Sequence, residues 1–359
     1  MRGRGDIAVV GAGIVGLATA LALRDHGHTV TVYERGAPGM GQSAGTTRIF
    51  RTNHDDPALV RLALRSLERW RELEGRFGVE LVGRGGVLVA GPAAAARLDK
   101  MRAEGARGRL VEAAEQRAVL PFLAPFAEPV VLDEAGGPIR VRAAIAALAG
   151  GADIVAAEVL ALRERGDDRV DLVTPEGIRE HAAAVVCAGE GTRRLGATLG
   201  LDLPVVRSLH LRATFRARGA APERAACLMD ATGVHGEQVY GSPLPGTAAY
   251  AIGISGEGGD LPAPDDGALA GAATELAALG DRAGAYVERA LPGLDPQRVA
   301  EIACWVTELP ARGDAFGAWR AGATVLLAGT NLFKHAPALG EALADAATGA
   351  ALAPVLEPD

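Results

Sequence analysis

Lysine is nearly absent from this sequence of 359 residues, in which only Lys100 and Lys334 are lysines among 37 basic residues. The remaining basic residues are arginines. Together with the abundance of alanine and glycine, this is typical of a GC-rich genome, so a lysine kept against that bias is a candidate for a specific role. The 44 acidic residues give a net charge of −7, which argues against a general nucleic-acid-binding protein.

Cysteine is also scarce, and long apolar runs are missing. The three cysteines, Cys187, Cys227 and Cys304, form no CxxC pair, which argues against a disulfide framework and a structural zinc site. No run is long and apolar enough to span a bilayer. The apolar run near the N-terminus carries spaced glycines and no cleavage pattern, unlike a signal peptide. We therefore expect a soluble, cytoplasmic protein without a metal site.

The rest of the composition is that of an ordinary globular protein. Apolar residues make up 49% and charged residues 23% of the chain, which excludes wholesale disorder. The length predicts two domains or one large interleaved domain, with enough chain for a large core.

The N-terminal segment has the pattern of a strand–helix–strand unit. The apolar run Asp6–Val10 predicts a buried parallel strand. The sequence GAGIVG follows at residues 11–16, then a helical stretch over 17–26 and a second strand over 29–33 that ends at Glu34. A GxGxxG turn between strand and helix, with an acid after the second strand, predicts dinucleotide binding. The alternative is a glycine-rich turn without a ligand.

Each glycine of this motif has a physical role. Gly11 forms the tight turn, Gly13 lets the backbone approach a pyrophosphate, and Gly16 lets the helix pack closely on the strand. The helix N-terminus favours the negative charge of a phosphate. Glu34 can accept hydrogen bonds from a ribose diol and would repel a 2′-phosphate, which disfavours NADP.

The remaining chain alternates between α/β units and a β-rich section. A helix is predicted from Asp56–Pro57, with Asp56 as its N-cap. Further predicted strands cover 85–90, 153–162, 170–174, 183–189 and 324–329; helices cover 93–120 (exposed), 268–291 and 339–348; a turn and helix cover 136–149; residues 205–255 are strand-rich and 256–267 form a loop. We expect the last strand and helix to return to the N-terminal sheet, which would bring residues 329–337 close to Gly11.

Four segments occur in order and at suitable intervals: GAGIVG with Glu34, TRIFR at 47–51, CWVT at 304–307, and FKHAPALGE at 333–341. Together they resemble the monomeric sarcosine oxidase and N-methyltryptophan oxidase family of FAD-dependent amine oxidoreductases, over nearly the whole chain. The resemblance implies an α/β fold with a Rossmann-like FAD-binding domain (1–84, 136–205 and 300–359) interleaved with a β-rich substrate domain of mixed sheet and helices (85–135 and 206–299).

The resemblance also implies specific roles. Cys304 would form a thioether to the flavin; taken alone it reads as a small buried core residue. Arg51 and Lys334 would hold the substrate carboxylate through a forked guanidinium and an ammonium, and Arg51 could instead form a surface salt bridge. Arg48 would lie near the flavin ring, where a cation stabilises negative charge, or form a structural ion pair.

The full set of expected site residues follows from these motifs. The expected cofactor-binding residues are Gly11, Gly13, Ile14, Val15, Gly16, Glu34, Arg35, Thr47, Arg48, Val159, Ala188, Gly189, Cys304, Gly329, Asn331, Leu332, Phe333 and Lys334. The expected catalytic and substrate-binding residues are Arg48, Arg51, Lys334, His54, Tyr240 and His335.

The sequence departs from the family pattern at several positions. Ala251 stands where the family has a lysine proposed to activate oxygen, and Ser255 stands in place of a nearby histidine. The segment 329–334 is shorter, and Val306 replaces an aromatic residue while Trp305 adjoins the cysteine. The pocket is therefore remodelled, and the sequence leaves open whether dioxygen or another acceptor reoxidises the flavin.

These features predict FAD-dependent oxidation of a C–N bond to an imine. The expected substrate is a secondary or cyclic amino acid, or a similar carboxylate-bearing amine, and a specialised one rather than sarcosine. We expect a monomer with no nucleic-acid or membrane partner. The alternatives are an NAD-dependent dehydrogenase, a flavin-dependent hydroxylase, and a non-catalytic dinucleotide-binding protein.

Overall fold

A computed structural model describes residues 6–166, 168–219, 224–262, 269–309 and 316–357. The chain divides into two compact units. The first unit comprises Met1–Ala44, Arg142–Arg207 and Trp305–Asp359, and the second comprises Gly45–Val141 and Ser208–Cys304. Each unit is thus built from separate stretches of sequence.

The described residues form strands and helices in both units, of which the longest are a strand of 15 residues (Leu294–Glu308) and a helix of 21 residues (Pro57–Phe77). The strands are β1 (Asp6–Val10), β2 (Thr29–Glu34), β3 (Thr47–Phe50), β4 (Val87–Ala90), β5 (Gly108–Val111), β6 (Val130–Asp133), β7 (Gly137–Arg140), β8 (Asp153–Ala156), β9 (Ala161–Glu164), β10 (Val170–Thr174), β11 (Gly177–His181), β12 (Ala183–Val186), β13 (Val206–Ala217), β14 (Cys227–Asp230), β15 (Val239–Pro243), β16 (Ala249–Ile254), β17 (Asp260–Pro262), β18 (Leu294–Glu308), β19 (Phe316–Ala321) and β20 (Thr324–Gly329). The helices are α1 (Ile14–Asp25), α2 (Pro57–Phe77), α3 (Ala94–Ala103), α4 (Ala113–Val119), α5 (Val141–Ala149), α6 (Gly191–Ala197), α7 (Ala273–Ala290) and α8 (Leu332–Ala347), with 3-10 turns at Leu269–Ala272 and Pro354–Leu356.

The first unit is built on a six-stranded sheet with the order β19-β20-β12-β1-β2-β8. The strands β20, β12, β1, β2 and β8 run parallel, and β19 is antiparallel to β20. The continuous apolar sequences of β1, β12 and β20 fit the burial that parallel strands require, whereas β8 at the end of the sheet order is mostly exposed. The predicted return of the last strand and helix is confirmed, because β20 joins this sheet and α8 packs on α1. That packing is close: a Cβ on Gly340 would lie 2.6 Å from the Ala18 backbone.

The first unit also holds a three-stranded antiparallel sheet with the order β11-β10-β9. One apolar core joins the two sheets and includes Val10, Leu162, Leu172 and Leu326. The predicted strand over 153–162 is therefore wrong in extent. It divides into β8, which pairs with β2, and β9, which pairs with β10.

The second unit is built on a nine-stranded mixed sheet. Its order is β17-β13-β16-β15-β14-β4-β6-β5, with β18 also paired to β13. Helix α7 packs on one core of this sheet through Tyr286 and Val287. Helix α3 packs on another core through Leu98 and Met101. The expected β-rich section is confirmed, and the fold class as a whole is that predicted.

A two-stranded antiparallel pair, β3 with β7, carries the TRIF segment, so that Arg48 lies opposite Ile139. The helix that follows begins as predicted: Asp56 caps α2 by accepting a hydrogen bond from the Ala58 amide at 2.7 Å. This pairing and α2 both belong to the second unit. Residues 45–84 thus lie with the second unit, whereas we expected them to lie with 1–44. The functional roles assigned to the two domains stay predictions.

Several predicted elements were wrong in extent or type. The exposed helix over 93–120 is interrupted, because Gly105 ends α3 with φ +86° and β5 then pairs with β6. Gln116 and Met101 in this stretch are fully buried, not exposed. The predicted loop 256–267 contains β17, which pairs with β13, while its residues 263–267 lie outside the described residues. Long-range strand pairing, which local pattern cannot show, explains these differences.

Candidate active site

The GxGxxG turn is shaped by two close backbone approaches in the first unit. Gly11 adopts φ +102°, and a Cβ there would lie 2.5 Å from the carbonyl oxygen of Cys187. A Cβ on Gly16 would lie 1.9 Å from the Gly11 carbonyl oxygen. Real side chains do not fit at such distances, so both positions require glycine. These contacts fix where α1 begins relative to β1 and β12.

The N-terminus of α1 opens directly after this turn. Gly13 is its N-cap, and the Ile14 amide donates to the hydroxyl of Ser43 at 3.0 Å. A Cβ on Gly13 would meet only the Ser43 oxygen, at 3.3 Å. The first turn of α1 contains no acidic side chain. Its amide groups and helix dipole therefore favour a negatively charged ligand.

Glu34 lies beside the glycine turn at the carboxyl end of β2. One carboxylate oxygen accepts a hydrogen bond from the Ala12 amide at 2.8 Å, and the other accepts one from the Gly36 amide at 2.9 Å. The adjacent Arg35 is exposed and pairs with Glu190 at 2.7 Å. Two backbone amides thus hold the Glu34 carboxylate at the edge where α/β sheets bind nucleotides.

The carboxyl end of β20 closes this region of the first unit. Gly329 adopts φ +134°, and its carbonyl accepts hydrogen bonds from the Thr307 hydroxyl at 2.9 Å and the Gln42 side chain at 3.3 Å. The Thr307 hydroxyl also lies 3.0 Å from the Gln42 side-chain oxygen. Residues from three distant parts of the sequence therefore meet at the end of one strand.

Lys334 lies in the first turn of α8, ahead of the helix predicted over 339–348. The helix begins at Leu332, seven residues before the predicted start at 339, and Asn331 precedes it in a left-handed conformation with φ 58°. The Lys334 side chain is only 3% exposed, and its ammonium donates to the Asn331 side-chain oxygen at 2.9 Å. His335 is likewise buried, with its ring 6.0 Å from that of Phe316.

In the second unit, two arginines converge on a cysteine. Arg48 and Arg212 both donate to the carbonyl oxygen of Thr47, at 2.9 and 3.1 Å. Arg212 also places a guanidinium nitrogen 2.9 Å from the sulfur of Cys304. Burial, and then the charge of Arg212, lower the pKa of Arg48 to about 9, while Cys304 and Tyr240 oppose that shift. We call Arg48, Arg212, Tyr240 and Cys304 the arginine–cysteine cluster.

Tyr240 enters this cluster because its strand neighbour is glycine. Gly253 lies opposite Tyr240 in the pairing of β15 with β16, and a Cβ on Gly253 would lie 2.2 Å from the Tyr240 ring. Burial raises the pKa of the Tyr240 hydroxyl, and the charges of Arg212 and Arg48 oppose the increase. The Tyr240 ring therefore lies over the Gly253 backbone, close to Arg48 and Arg212.

The uncharged Ala251 lies on the same sheet face as Arg212. Ala251 is opposite Thr214 in the pairing of β16 with β13, and residues two apart on a strand point to the same face. Position 251 carries no lysine, but Arg212 on the neighbouring strand β13 extends from the same face of the sheet.

Arg51 and His54 lie on a loop that a buried carboxylate holds. Asp133 is fully buried and accepts hydrogen bonds from the Thr52 amide at 2.5 Å, the Thr52 hydroxyl at 2.9 Å and the Asn53 amide at 3.0 Å. Arg51 donates to the Asn53 carbonyl and lies 3.3 Å from the His54 ring nitrogen. Burial raises the pKa of Asp133, and these hydrogen bonds oppose the rise. Asp133 therefore fixes the backbone from which Arg51 extends.

A family model described as FAD-dependent oxidoreductase matches residues 6–346 of this chain. The chain belongs to the FAD-dependent oxidoreductase family. The cofactor of the enzyme is therefore FAD, which decides against the nicotinamide alternative. The match spans both units, including the glycine turn and the arginine–cysteine cluster.

The chain is similar to several solved structures. NikD, "an unusual amino acid oxidase essential for nikkomycin biosynthesis", is 26% identical, with 99% of this chain and 97% of that chain covered and a TM-score of 0.84. L-proline dehydrogenase from P. horikoshii is 20% identical, with 99% and 96% covered and a TM-score of 0.80. Glycine oxidase from Geobacillus kaustophilus is 23% identical, with 95% and 94% covered and a TM-score of 0.73. The last two show the fold alone. No curated protein matches the chain.

The first unit of this FAD-dependent oxidoreductase fits the cofactor. The open N-terminus of α1 suits a pyrophosphate, and the Glu34 carboxylate suits a ribose diol. Both lie at the carboxyl ends of neighbouring parallel strands, where such sheets bind dinucleotides.

Among the described residues, none of the helices is long and apolar enough to cross a membrane.

The structure brings together some of the predicted residues within each unit. In the first unit, Gly11, Gly13, Ile14, Val15, Gly16 and Glu34 lie at the glycine turn; Arg35, Ala188 and Gly189 follow β2 and β12; Gly329, Asn331, Leu332, Phe333, Lys334 and His335 lie at the end of β20 and the start of α8. Val159, also in the first unit, is a buried core residue. In the second unit, Thr47, Arg48, Tyr240 and Cys304 lie together, and Arg51 lies with His54.

Five residues of these clusters were not predicted from the sequence: Gln42, Ser43, Asp133, Arg212 and Thr307. Arg212 carried a usable signal, because His210, Arg212 and Thr214 form the polar face of a strand whose other face is apolar. No sequence pattern indicates Asp133, because its partner Thr52 lies 81 residues earlier in the chain.

Proposed function

We propose that this flavoenzyme oxidises a C–N bond of a secondary or cyclic amino acid to an imine, as a relative of the sarcosine oxidase group. The observation that carries the proposal is the burial of Lys334, one of two lysines in the chain and only 3% exposed. A buried ammonium is costly unless a negative group or a hydrogen-bond acceptor pairs with it. The Asn331 side-chain oxygen accepts a hydrogen bond from the Lys334 ammonium at 2.9 Å, and a carboxylate substrate would add a negatively charged partner.

The likeness to NikD supports this substrate class. That protein is an amino acid oxidase with a role in biosynthesis, and at 26% identity it is similar over 99% of this chain. The departures from the sarcosine oxidase pattern at Trp305 and Val306 would suit a specialised substrate rather than sarcosine.

The chain's own residues would bind and orient the substrate. Arg51, fixed through Asp133, and Lys334 would hold the carboxylate and so place the amine-bearing carbon for reaction. The bound FAD supplies the acceptor for a hydride equivalent. Arg48 and Tyr240 would keep the surroundings of the flavin ring polar. The substrate amine would bind in its neutral form, so that its oxidation needs no strong base.

We also propose that Cys304 links covalently to the flavin. Cys304 would supply the sulfur of a thioether to FAD, and joining a thiol to a carbon–hydrogen group in this way would require a two-electron oxidant, for which dioxygen would serve. Cys304 is 7% exposed, and its sulfur lies 2.9 Å from a guanidinium nitrogen of Arg212. Flavin that precipitates with the acid-denatured protein supports the link, and Cys304→Ala should release it.

The substrate class is tested by anaerobic mixing with matched compounds. Proline, pipecolate and N-methyl amino acids should bleach the flavin absorbance, whereas pyrrolidine and piperidine, which lack the carboxylate, should not. Lys334→Met should weaken the apparent affinity about tenfold to hundredfold, with Lys100→Met as the matched control. Equal bleaching by proline and pyrrolidine would refute the carboxylate requirement, and bleaching only after addition of a reduced nicotinamide would favour a hydroxylase.

A further inference from the structure

Asn331, the residue before α8, has a backbone conformation that side chains disfavour. Its φ of 58° lies in the left-handed region, and among the residues that the structure describes no other non-glycine residue has a positive φ. Glycine occupies the other described positions of this kind, because it adopts positive φ at the lowest cost. Glycine would therefore suit the backbone at position 331 better, which indicates that the asparagine side chain has a role of its own.

The usual role of asparagine at the start of a helix does not explain this residue. An N-cap residue normally has an extended backbone, and its side-chain oxygen accepts a hydrogen bond from an amide of the first turn. Asn331 occupies the N-cap position of α8, but its backbone is left-handed and its side chain forms no capping hydrogen bond. Its oxygen instead accepts a hydrogen bond from the Lys334 ammonium at 2.9 Å. The Asn331 side chain therefore binds the lysine and not the helix amides.

The Lys334 ammonium lies where a cation is unfavourable. Lys334 is buried, and burial removes the water that would stabilise its charge. The residue also lies in the first turn of α8, where the positive end of the helix dipole repels a cation. An ammonium has three N–H donors that need acceptors. Asn331 supplies one acceptor, and its amide oxygen does so without adding a negative charge.

The turn that carries Asn331 is itself held where it begins. Gly329 ends β20, and its carbonyl accepts hydrogen bonds from the Thr307 hydroxyl at 2.9 Å and from the Gln42 side chain at 3.3 Å. These contacts fix the chain two residues before Asn331. The hydrogen bond between Lys334 and Asn331 then spans the first turn of α8, so that the ammonium is held relative to the end of β20.

We propose that Asn331 is a positioning residue, which holds the Lys334 ammonium in place for the carboxylate of the substrate. The proposal rests on the carboxylate-binding role proposed above for Lys334. An uncharged acceptor suits this purpose, because it orients the ammonium without cancelling its attraction for an anion. An aspartate at position 331 would also hold the ammonium, but its negative charge would repel the substrate carboxylate. Asn331 thus acts on substrate affinity through Lys334.

The first test measures the contact without substrate, by a double-mutant cycle of Asn331→Gly and Lys334→Met in the full-length, FAD-loaded protein. Glycine relieves the left-handed conformation but removes the oxygen. In the Lys334→Met background, Asn331→Gly should raise the urea midpoint of unfolding, because only the relief of the backbone remains. In the wild type it should lower the midpoint, because the buried ammonium loses an acceptor. An equal shift in both backgrounds overturns the proposal.

The second test measures substrate affinity from the concentration dependence of anaerobic flavin bleaching. The probe is whichever of proline, pipecolate and the N-methyl amino acids bleaches the wild-type flavin fastest. Asn331→Gly should weaken the apparent affinity about threefold to tenfold. Asn331→Asp should weaken it by at least about tenfold while keeping the wild-type urea midpoint, because the acceptor is retained but the charge is wrong. Neither substitution should weaken the affinity further in the Lys334→Met background.

The matched control is Lys100→Met, because Lys100 is the other lysine of the chain and is exposed on α3. It should change neither the urea midpoint nor the affinity. If Lys334→Met leaves the affinity unchanged, the carboxylate-binding role of Lys334 is refuted, and the role given to Asn331 falls with it. If Lys334→Met weakens binding but Asn331→Gly and Asn331→Asp do not, the role of Lys334 stands and the positioning proposal alone is overturned.

Discussion

The two units of this flavoenzyme build their polar sites from different groups, the backbone in the first unit and side chains in the second. At the glycine turn of the first unit, the backbone supplies the polar groups, and side chains are absent at Gly11 and Gly16 because no space exists for them. In the second unit, long charged side chains from separate strands supply the polar groups around Cys304. A backbone site depends on local conformation, whereas a side-chain site depends on which strands are neighbours. Substitutions at the two sites should therefore have different effects on stability and flavin binding.

The largest expected effect is at Gly16 in the first unit. Gly16→Ala places a Cβ 1.9 Å from the Gly11 carbonyl oxygen, so α1 must move away from the turn. We expect a stability loss of about 3 kcal/mol and a protein that retains little FAD. The measurement is urea unfolding with flavin content by absorbance. Gly41→Ala, which has nothing within 4 Å of its Cβ, is the control, and equal losses in both variants would contradict the close-approach argument.

A somewhat smaller effect is expected at Asp133 in the second unit. Asp133→Ala leaves the amides of Thr52 and Asn53 without their buried acceptor, at a cost of about 2 to 3 kcal/mol. The Arg51 loop should loosen, so that KM for the carboxylate substrate rises more than kcat falls. Steady-state kinetics on the flavin-loaded variant checks this. A variant with reduced stability but unchanged KM would show that the loop is positioned by other contacts.

Asp133 also predicts how the free energy of unfolding changes with pH. Burial raises the folded-state pKa of Asp133, so the folded protein binds the proton more tightly than the unfolded chain does. Its contribution to the free energy of unfolding is therefore largest below the unfolded pKa of about 4, and it decreases as the pH rises through the folded pKa. Thermal unfolding of the wild type and Asp133→Asn between pH 4 and 7 should show the wild-type advantage shrinking with pH. A growing advantage would reverse the sign of the shift.

The smallest expected effect is at Ser43 in the first unit. Its hydroxyl accepts a hydrogen bond from the Ile14 amide at the start of α1 at 3.0 Å. Ser43→Ala should cost about 1 kcal/mol, the usual value for a lost N-terminal cap, with the fold and flavin content retained. Urea unfolding measures it, with Ser255→Ala, at an exposed serine of the second unit, as the reference. A loss as large as that of Gly16→Ala would show that side chains, not backbone geometry, dominate the glycine turn.

How much could be predicted from the sequence follows the same division. The strand–helix–strand unit, the glycine roles, Glu34 and the cap at Asp56 were predictable because each depends on residues close in sequence. Arg212 was missed because it meets Cys304 only when β13 lies beside β18, although the two residues are 92 positions apart. The start of α8 was misplaced because Asn331 adopts a left-handed conformation, and the interior Pro337 hides a helical pattern.

The sequence by itself determined the dinucleotide-binding unit and the family resemblance, because spaced glycines and contiguous motifs constrain the chain locally. Only the tertiary structure decided that Lys334 is a buried helical residue, that Asp133 holds the Arg51 loop, and that two arginines share one carbonyl beside Cys304. These arrangements depend on strand order and register in a mixed sheet. Pairing between distant strands is set by the burial of the whole core, and no single segment of the sequence records it.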